Sequence, residues 1–135
     1  FKDFPLGFHP GAPFYAQAAK CARDKGGDAG YYKMHDKIFE EQNKLDGGTV
    51  SSTVTYPGND VLKKWAKDIG YDIGSCLDSG KYATRIADDL ADAIGSGGTG
   101  TPYSIIITPK GGVFPFSGAL PFEQVKSLID QALEN

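Results

Sequence analysis

Apolar and polar residues along the chain repeat first at helical spacing and then, toward the C-terminus, at strand spacing. Between residues 13 and 94 the apolar positions recur every three or four residues, which predicts amphipathic helices. Glycines such as Gly26-Gly27 and Gly70 mark several helix ends. The pattern therefore predicts a block of about five helices, at roughly 13–25, 29–45, 60–69, 75–81 and 82–94.

After the helical block the helical spacing of apolar residues changes to short, strand-like apolar segments. Tyr103–Thr108 and Val113–Phe116 are predicted as strands, joined by a hairpin turn at Pro109–Gly112. The unbroken run Ile105–Ile107 predicts a strand that is buried on both faces. Pro121 then begins a final amphipathic helix.

Three further segments have weaker patterns. Phe1–Leu6 is predicted as a short strand or strand end, stopped by Pro5 and Gly7. Thr49–Tyr56 is rich in Ser, Thr and Val, and we interpret it as a loop between helices. The glycine segment 95–100 is predicted to be the most flexible part of the chain.

Length, charge and hydropathy exclude several classes of function. The 135 residues suit one domain with a substantial core. The net charge of −3 argues against an electrostatic nucleic-acid surface and a polybasic membrane patch. No apolar run approaches the ~20 residues of a membrane span. The chain begins with Phe1 rather than Met, so we expect either a processed or cut product or further residues upstream.

Candidate chemistry is sparse. The sequence has two cysteines, Cys21 and Cys76, and no Cys-x-x-Cys motif. The residues alone leave three alternatives open, namely a reactive thiol, a structural disulfide or two buried free cysteines. Neither His9 nor His35 has ligand spacing to another metal-binding residue, so no metal site is expected. The glycine segment lacks the Gly-Lys-Ser/Thr ending of a phosphate loop.

Several strings, taken in order, resemble segments of the DsbA-like thioredoxin-fold family. The most distinctive is the helix that carries Met34-His35-Asp36, and Gly100-Thr101-Pro102 resembles the family's cis-proline loop. The resemblance covers nearly all of the chain. The strings are Phe4–Ala12, Ala18–Ala22, Lys33–Phe39, Ser75–Tyr82, Gly100–Pro102 and Ser117–Pro121.

This resemblance implies an α/β, thioredoxin-like fold with an inserted helical domain. Residues 1–10 and 95–135 would form the thioredoxin-like portion, which is incomplete, and residues 11–94 the inserted helical domain. Family members begin with a strand and a helix that opens with Cys-x-x-Cys, and this N-terminal βα unit is absent from the chain. That strand would lie centrally, between 1–6 and 103–108. We therefore expect the unit to lie upstream or to be supplied by another copy or chain.

The resemblance also implies thiol–disulfide exchange with protein thiols or disulfides. The dithiol would lie outside this chain, so no catalytic residue is assigned here. Gly100, Thr101 and Pro102 are implied to bind substrate, with a cis Thr101–Pro102 bond. Cys21 and Cys76 are implied to form a structural disulfide. No cofactor is required, and a periplasmic or other extracytoplasmic, oxidising compartment is implied.

Two alternatives to the oxidoreductase stay open. The first is a non-catalytic thioredoxin-fold binding module, and the second is a fragment or domain-swapped assembly. In every case the 135-residue chain alone is expected to be inactive in dithiol chemistry, because it lacks Cys-x-x-Cys. Expected partners are protein substrates, a redox partner protein and a second copy that completes the sheet, with no nucleic acid and no membrane span.

Overall fold

The structure of the protein, a computed structural model, describes residues 1–48 and 55–134. Contacts divide the chain into two compact units, one from Phe1 to Ala91 and one beginning at Asp92. The grouping of residues 1–10 with 95–135 stays a prediction. The elements in chain order are α1 Ala12–Leu45, α2 Asn59–Asp68, α3 Gly74–Asp78, α4 Ala83–Gly95, β1 Tyr103–Ile107, β2 Val113–Ser117 and α5 Phe122–Glu134.

Helix α1 bends at Gly27, where the two helices predicted at 13–25 and 29–45 meet. The backbone there has φ 61° and ψ −153°, which a residue with a side chain rarely adopts. A side chain at Gly26 would clash with the ring of Tyr71. The bend therefore depends on glycine, and Tyr71 packs directly against the residue before it.

The core of the first unit lies between α1, α2 and α3. Small residues such as Ala18 and Ala22 let α2 and α3 approach α1 closely, and Leu62 and Trp65 fill the space between. Burial of a side chain such as Leu62 contributes about 1.5–3 kcal/mol. The buried members are Ala18, Ala19, Cys21, Ala22, Tyr31, Met34, Ile38, Leu62, Trp65, Ala66, Ile73 and Leu77.

The predicted hairpin is present in the second unit. Strands β1 and β2 pair antiparallel, with Ile105 opposite Pro115 and Ile107 opposite Val113. The Thr108 amide donates to the Gly112 carbonyl at 2.9 Å, so hydrogen-bonded pairs fall on the even-numbered residues of β1. Pro115 therefore occupies a pair without ladder hydrogen bonds, where its missing N–H removes none of them.

The expectation that Ile105–Ile107 is buried on both faces is wrong. Burial alternates along β1, and Ile105 and Ile107 are 37% and 71% exposed. Continuous apolar runs indicate two-sided burial only where both faces of a sheet are covered. In the described part of the chain the sheet has two strands, and the face that carries these two isoleucines is partly open to solvent.

The expectation of a strand at Phe1–Leu6 is also wrong, since the structure assigns no strand to these residues. A strand requires a neighbouring backbone, and this segment is held by side chains instead. The Asp3 amide donates to the Asp89 carboxylate at 3.5 Å, and the Asp3 carboxylate contacts Tyr31 and Lys20. The predicted loop at Thr49–Tyr56 lies mostly outside the described residues. None of the described helices is long and apolar enough to cross a membrane.

Candidate functional site

The loop Gly100–Thr101–Pro102 lies directly before β1. The Thr101–Pro102 peptide bond is cis, and both residues are exposed. The Pro102 carbonyl accepts a hydrogen bond of 2.9 Å from the Gly118 amide, which extends the pairing of the hairpin by one step. One side of the loop is thus fixed to the segment that follows β2, while the side chains of Thr101 and Pro102 face solvent.

The glycine segment before this loop packs against Tyr103. The Tyr103 hydroxyl donates to the Ser96 carbonyl at 2.5 Å. A Cβ atom at Gly98 would lie 2.9 Å from the Ala93 carbonyl oxygen and 3.0 Å from the Tyr103 ring. Close packing against an aromatic ring therefore accounts for glycine at position 98, where the sequence alone indicated only flexibility.

Cys21 of α1 and Cys76 of α3 form a disulfide, with their Cα atoms 5.8 Å apart. Of the three alternatives that the residues left open, this is the one that the structure contains. It closes a loop of 55 residues, which on the chain-entropy account stabilises the fold by about 4 kcal/mol. Both cysteines of the sequence are described and bonded, so the 135 residues hold no free thiol.

A charged cluster lies beside this disulfide. The Asp24 carboxylate lies 4.0 Å from Cys76 Sγ. Lys81 Nζ donates to Asp24 at 2.5 Å, and the Tyr82 hydroxyl donates to the other carboxylate oxygen. The hydrogen bonds from Lys81 and Tyr82 lower the pKa of Asp24. The carboxylate is therefore ionised and fixed beside the sulfur at neutral pH.

A second charged cluster is buried in the first unit. Lys20 Nζ lies 2.7 Å from Asp3 and 3.2 Å from Asp89, and Asp89 is 1% exposed. Burial by itself opposes ionisation of Asp89, but its hydrogen bond and attraction to Lys20 outweigh burial and lower its pKa. Burial also opposes the charge on Lys20, and the two carboxylates raise its pKa above the usual value. The cluster fixes residues 1–6 against α1 and α4.

The two histidines, His9 and His35, contact different groups. His35 Nδ1 lies 2.9 Å from the Asp36 carboxylate, and its ring lies 4.8 Å from that of Phe39. The His9 ring contacts Phe8 at 4.5 Å. Among residues 1–48 and 55–134, no group of three or more His, Cys, Asp or Glu side chains is arranged to hold a metal ion.

Sequence reasoning missed both charged clusters. Their members are far apart along the chain, since Lys20 and Asp89 are separated by 69 residues and Asp24 and Lys81 by 57. Of the ion pairs that Asp89 makes, the spacing in the sequence predicts the one with Arg85, four residues earlier on α4. It would have indicated a surface ion pair, whereas Asp89 is buried.

The helical block, the hairpin and the closing helix form a DsbA-like thioredoxin fold, the fold of thiol–disulfide oxidoreductases. The crystal structure of Pseudomonas aeruginosa DsbA2 is similar to this chain, with a TM-score of 0.62 and 28% sequence identity. The match covers 96% of this chain and 68% of that one. The likeness confirms the predicted fold class and supports a DsbA-like family for the chain. No protein-family model and no curated protein matches the sequence.

Proposed function

We propose that these residues are the helical domain and substrate-binding loop of a DsbA-like thiol–disulfide oxidoreductase. The observation that carries the proposal is the likeness in fold to DsbA2 over 96% of the chain. It is supported by the position of Gly100, Thr101 and Pro102 directly before β1, with Thr101 and Pro102 exposed. No residue of this chain is assigned a catalytic role.

The proposed chemistry is disulfide exchange with a protein partner. A thiolate of a Cys-x-x-Cys pair outside these 135 residues attacks a substrate disulfide and forms a mixed disulfide. The second thiol of the pair then attacks that bond, which leaves the pair oxidised and the substrate reduced. The reverse sequence oxidises a substrate dithiol. Protein thiols or disulfides are the substrates, a redox partner protein resets the pair, and no cofactor takes part.

Gly100, Thr101 and Pro102 are proposed to hold the substrate backbone beside the reacting sulfurs. Recognition by strand addition uses backbone hydrogen bonds and tolerates many side chains, which suits an enzyme with varied protein substrates. An extracytoplasmic, oxidising compartment follows from this chemistry, because disulfides persist there.

The test uses the intact polypeptide in which these residues occur. Its mass with and without reduction before alkylation reports how many cysteines it has and how many are oxidised, and peptide mapping of the alkylated chain shows whether two of them form a Cys-x-x-Cys pair. Disulfide exchange with a reduced model protein is then measured for wild type, Thr101→Arg and Thr99→Arg. We expect Thr101→Arg to lower kcat/KM at least tenfold and Thr99→Arg, two residues earlier and also exposed, to leave it within twofold. Equal rates for all three would refute the role of the loop.

A second candidate is a non-catalytic binding module. The observation in its favour is that both cysteines are bonded to each other, so these 135 residues carry no free thiol. Absence of Cys-x-x-Cys from the intact polypeptide would decide for this candidate. A mass in sedimentation that rises with concentration would instead favour a domain-swapped assembly or a second copy that completes the sheet.

A further inference from the structure

The two cysteines of the Cys21–Cys76 disulfide differ in their exposure to solvent. Cys21 has no exposed surface, whereas Cys76 is partly exposed. Access decides which sulfur of a disulfide a thiolate attacks. Because Cys21 is fully buried and Cys76 is the half of the disulfide nearer solvent, we expect attack at Cys76 Sγ, with Cys21 as the sulfur that leaves.

A fixed negative charge lies beside the reachable sulfur. Asp24 Oδ2 is 4.0 Å from Cys76 Sγ. Lys81 donates to the same oxygen and Tyr82 donates to Oδ1, so the carboxylate is held in place. The Asp24 side chain is 30% exposed, so it also borders the solvent from which a thiol approaches. Lys81 Nζ lies 2.5 Å from the same oxygen and offsets part of this charge.

We propose that Asp24 protects the Cys21–Cys76 disulfide from exchange with thiolates. In the exchange step an external thiolate bonds to Cys76 Sγ, the Cys21–Cys76 bond breaks, and the electron pair leaves on Cys21 Sγ, which takes a proton from water. The transition state spreads one negative charge over three sulfurs. A carboxylate about 4 Å away raises the energy of this transition state. The carboxylate also repels anionic thiols more strongly than neutral or cationic ones. This inference does not depend on the proposed exchange activity.

The test compares reduction of the disulfide by two small thiols of opposite charge. The probes are 2-mercaptoethanesulfonate, which is anionic, and cysteamine, which is cationic, at one pH and equal thiolate concentration. We expect Asp24→Asn to raise the ratio of the anionic to the cationic rate constant by at least about fivefold, because the probes differ by two charges and each charge contributes up to about fivefold at 4 Å in water. The first mixed disulfide, trapped and mapped by mass spectrometry, should carry the reagent on Cys76.

Two control variants distinguish the effect of the Asp24 charge on the rate constants from the effect of a local loss of structure. Tyr82→Phe removes a hydrogen bond to the carboxylate but keeps its charge, so both rates change together and their ratio stays constant. Asp28→Asn removes an exposed carboxylate of the same helix that pairs with Arg23 instead, and it also leaves the ratio unchanged. An unchanged ratio in Asp24→Asn, or reagent trapped on Cys21, would overturn the proposal.

Lys81→Met provides an independent arm should Asp24→Asn fail to fold. This change leaves the Asp24 carboxylate in place without its nearest positive partner. The ratio of anionic to cationic rate constants should then fall about threefold or more. A ratio that rises or stays constant in this variant would show that the charges of this cluster do not act on the exchange step, which would overturn the proposal.

Discussion

The phenol ring of Tyr71 occupies the space that a side chain at Gly26 would need. A Cβ atom at Gly26 would lie 2.5 Å from the Tyr71 hydroxyl and 2.8 Å from its ring. Helix α1 bends at the next residue, Gly27. The bend and the ring are thus two parts of one packing arrangement in the first unit.

We expect Gly26→Ala to destabilise the protein by about 1–3 kcal/mol, because overpacking displaces the ring or the backbone. Chemical denaturation monitored by circular dichroism measures the change. Gly7→Ala is the matched control, since nothing lies within 4 Å of a Cβ atom there, and its effect should stay within about 0.5 kcal/mol. Equal effects of the two substitutions would show that the ring does not restrict position 26.

The buried ion cluster predicts a large effect of removing its shared cation. Lys20→Met leaves the buried carboxylates of Asp3 and Asp89 without their common partner. Asp89 keeps its pairs with Arg85 and Lys2, so the cost should be about 3 kcal/mol, the lower end for a broken buried pair. Lys63→Met removes an ion pair with Asp60 and Asp78, which are 98% and 57% exposed, and should cost less than about 1 kcal/mol. Denaturation midpoints of the two variants, measured together, test the contrast.

The same cluster predicts a loss of stability in acid. The pKa of Asp89 is lower in the folded protein than its ordinary value of 3.8, so the unfolded chain binds the proton first as the pH falls. Its contribution is complete well above pH 3.8 and disappears as the pH falls through the lower, folded pKa. The free energy of unfolding from urea titrations between pH 7 and pH 2 measures this. Asp89→Asn should be less stable at pH 7 and show a shallower decline in acid, and parallel curves would contradict the assignment.

The disulfide predicts a stability difference between oxidised and reduced protein. Replacing both Cys21 and Cys76 by Ala should lower the free energy of unfolding by about 2–4 kcal/mol, because the 55-residue loop is no longer closed in the unfolded chain. Denaturation of this variant is compared with that of the wild type under oxidising and reducing conditions. Reduced wild type and the double variant should agree closely, and no difference from the oxidised protein would contradict a stabilising role.

Sequence patterns predicted correctly those parts of the fold that depend on residues close together in the chain. Two short apolar segments around the Pro109–Gly112 turn predicted the hairpin, Pro121 predicted the start of α5 at Phe122, and Gly26-Gly27 predicted the break in α1. Such features arise from backbone preferences and from residues close together in the chain.

Sequence patterns did not predict burial or pairing that depends on residues far away in the chain. The Ile105–Ile107 run could not report what covers each face of β1, and Phe1–Leu6 could not report whether a backbone lies beside it. The sequence has no signal for the pairing of Asp24 with Lys81 or of Asp89 with Lys20, because the fold brings these distant residues together. In the candidate site, the cysteine pairing and the loop residues came from family resemblance rather than from spacing. The substrate role of Gly100, Thr101 and Pro102 stays a prediction.

Pro115 makes the two edges of the hairpin unequal for the addition of a further strand. Residues in pairs without ladder hydrogen bonds turn their backbone groups away from the partner strand, so the outer edge of β2 presents a proline ring where a donor would stand. On β1, the corresponding edge presents the N–H and C=O groups of Tyr103, Ile105 and Ile107. An added strand would thus find regularly spaced donors on the β1 side and a gap on the β2 side, and the sheet can widen evenly only from β1.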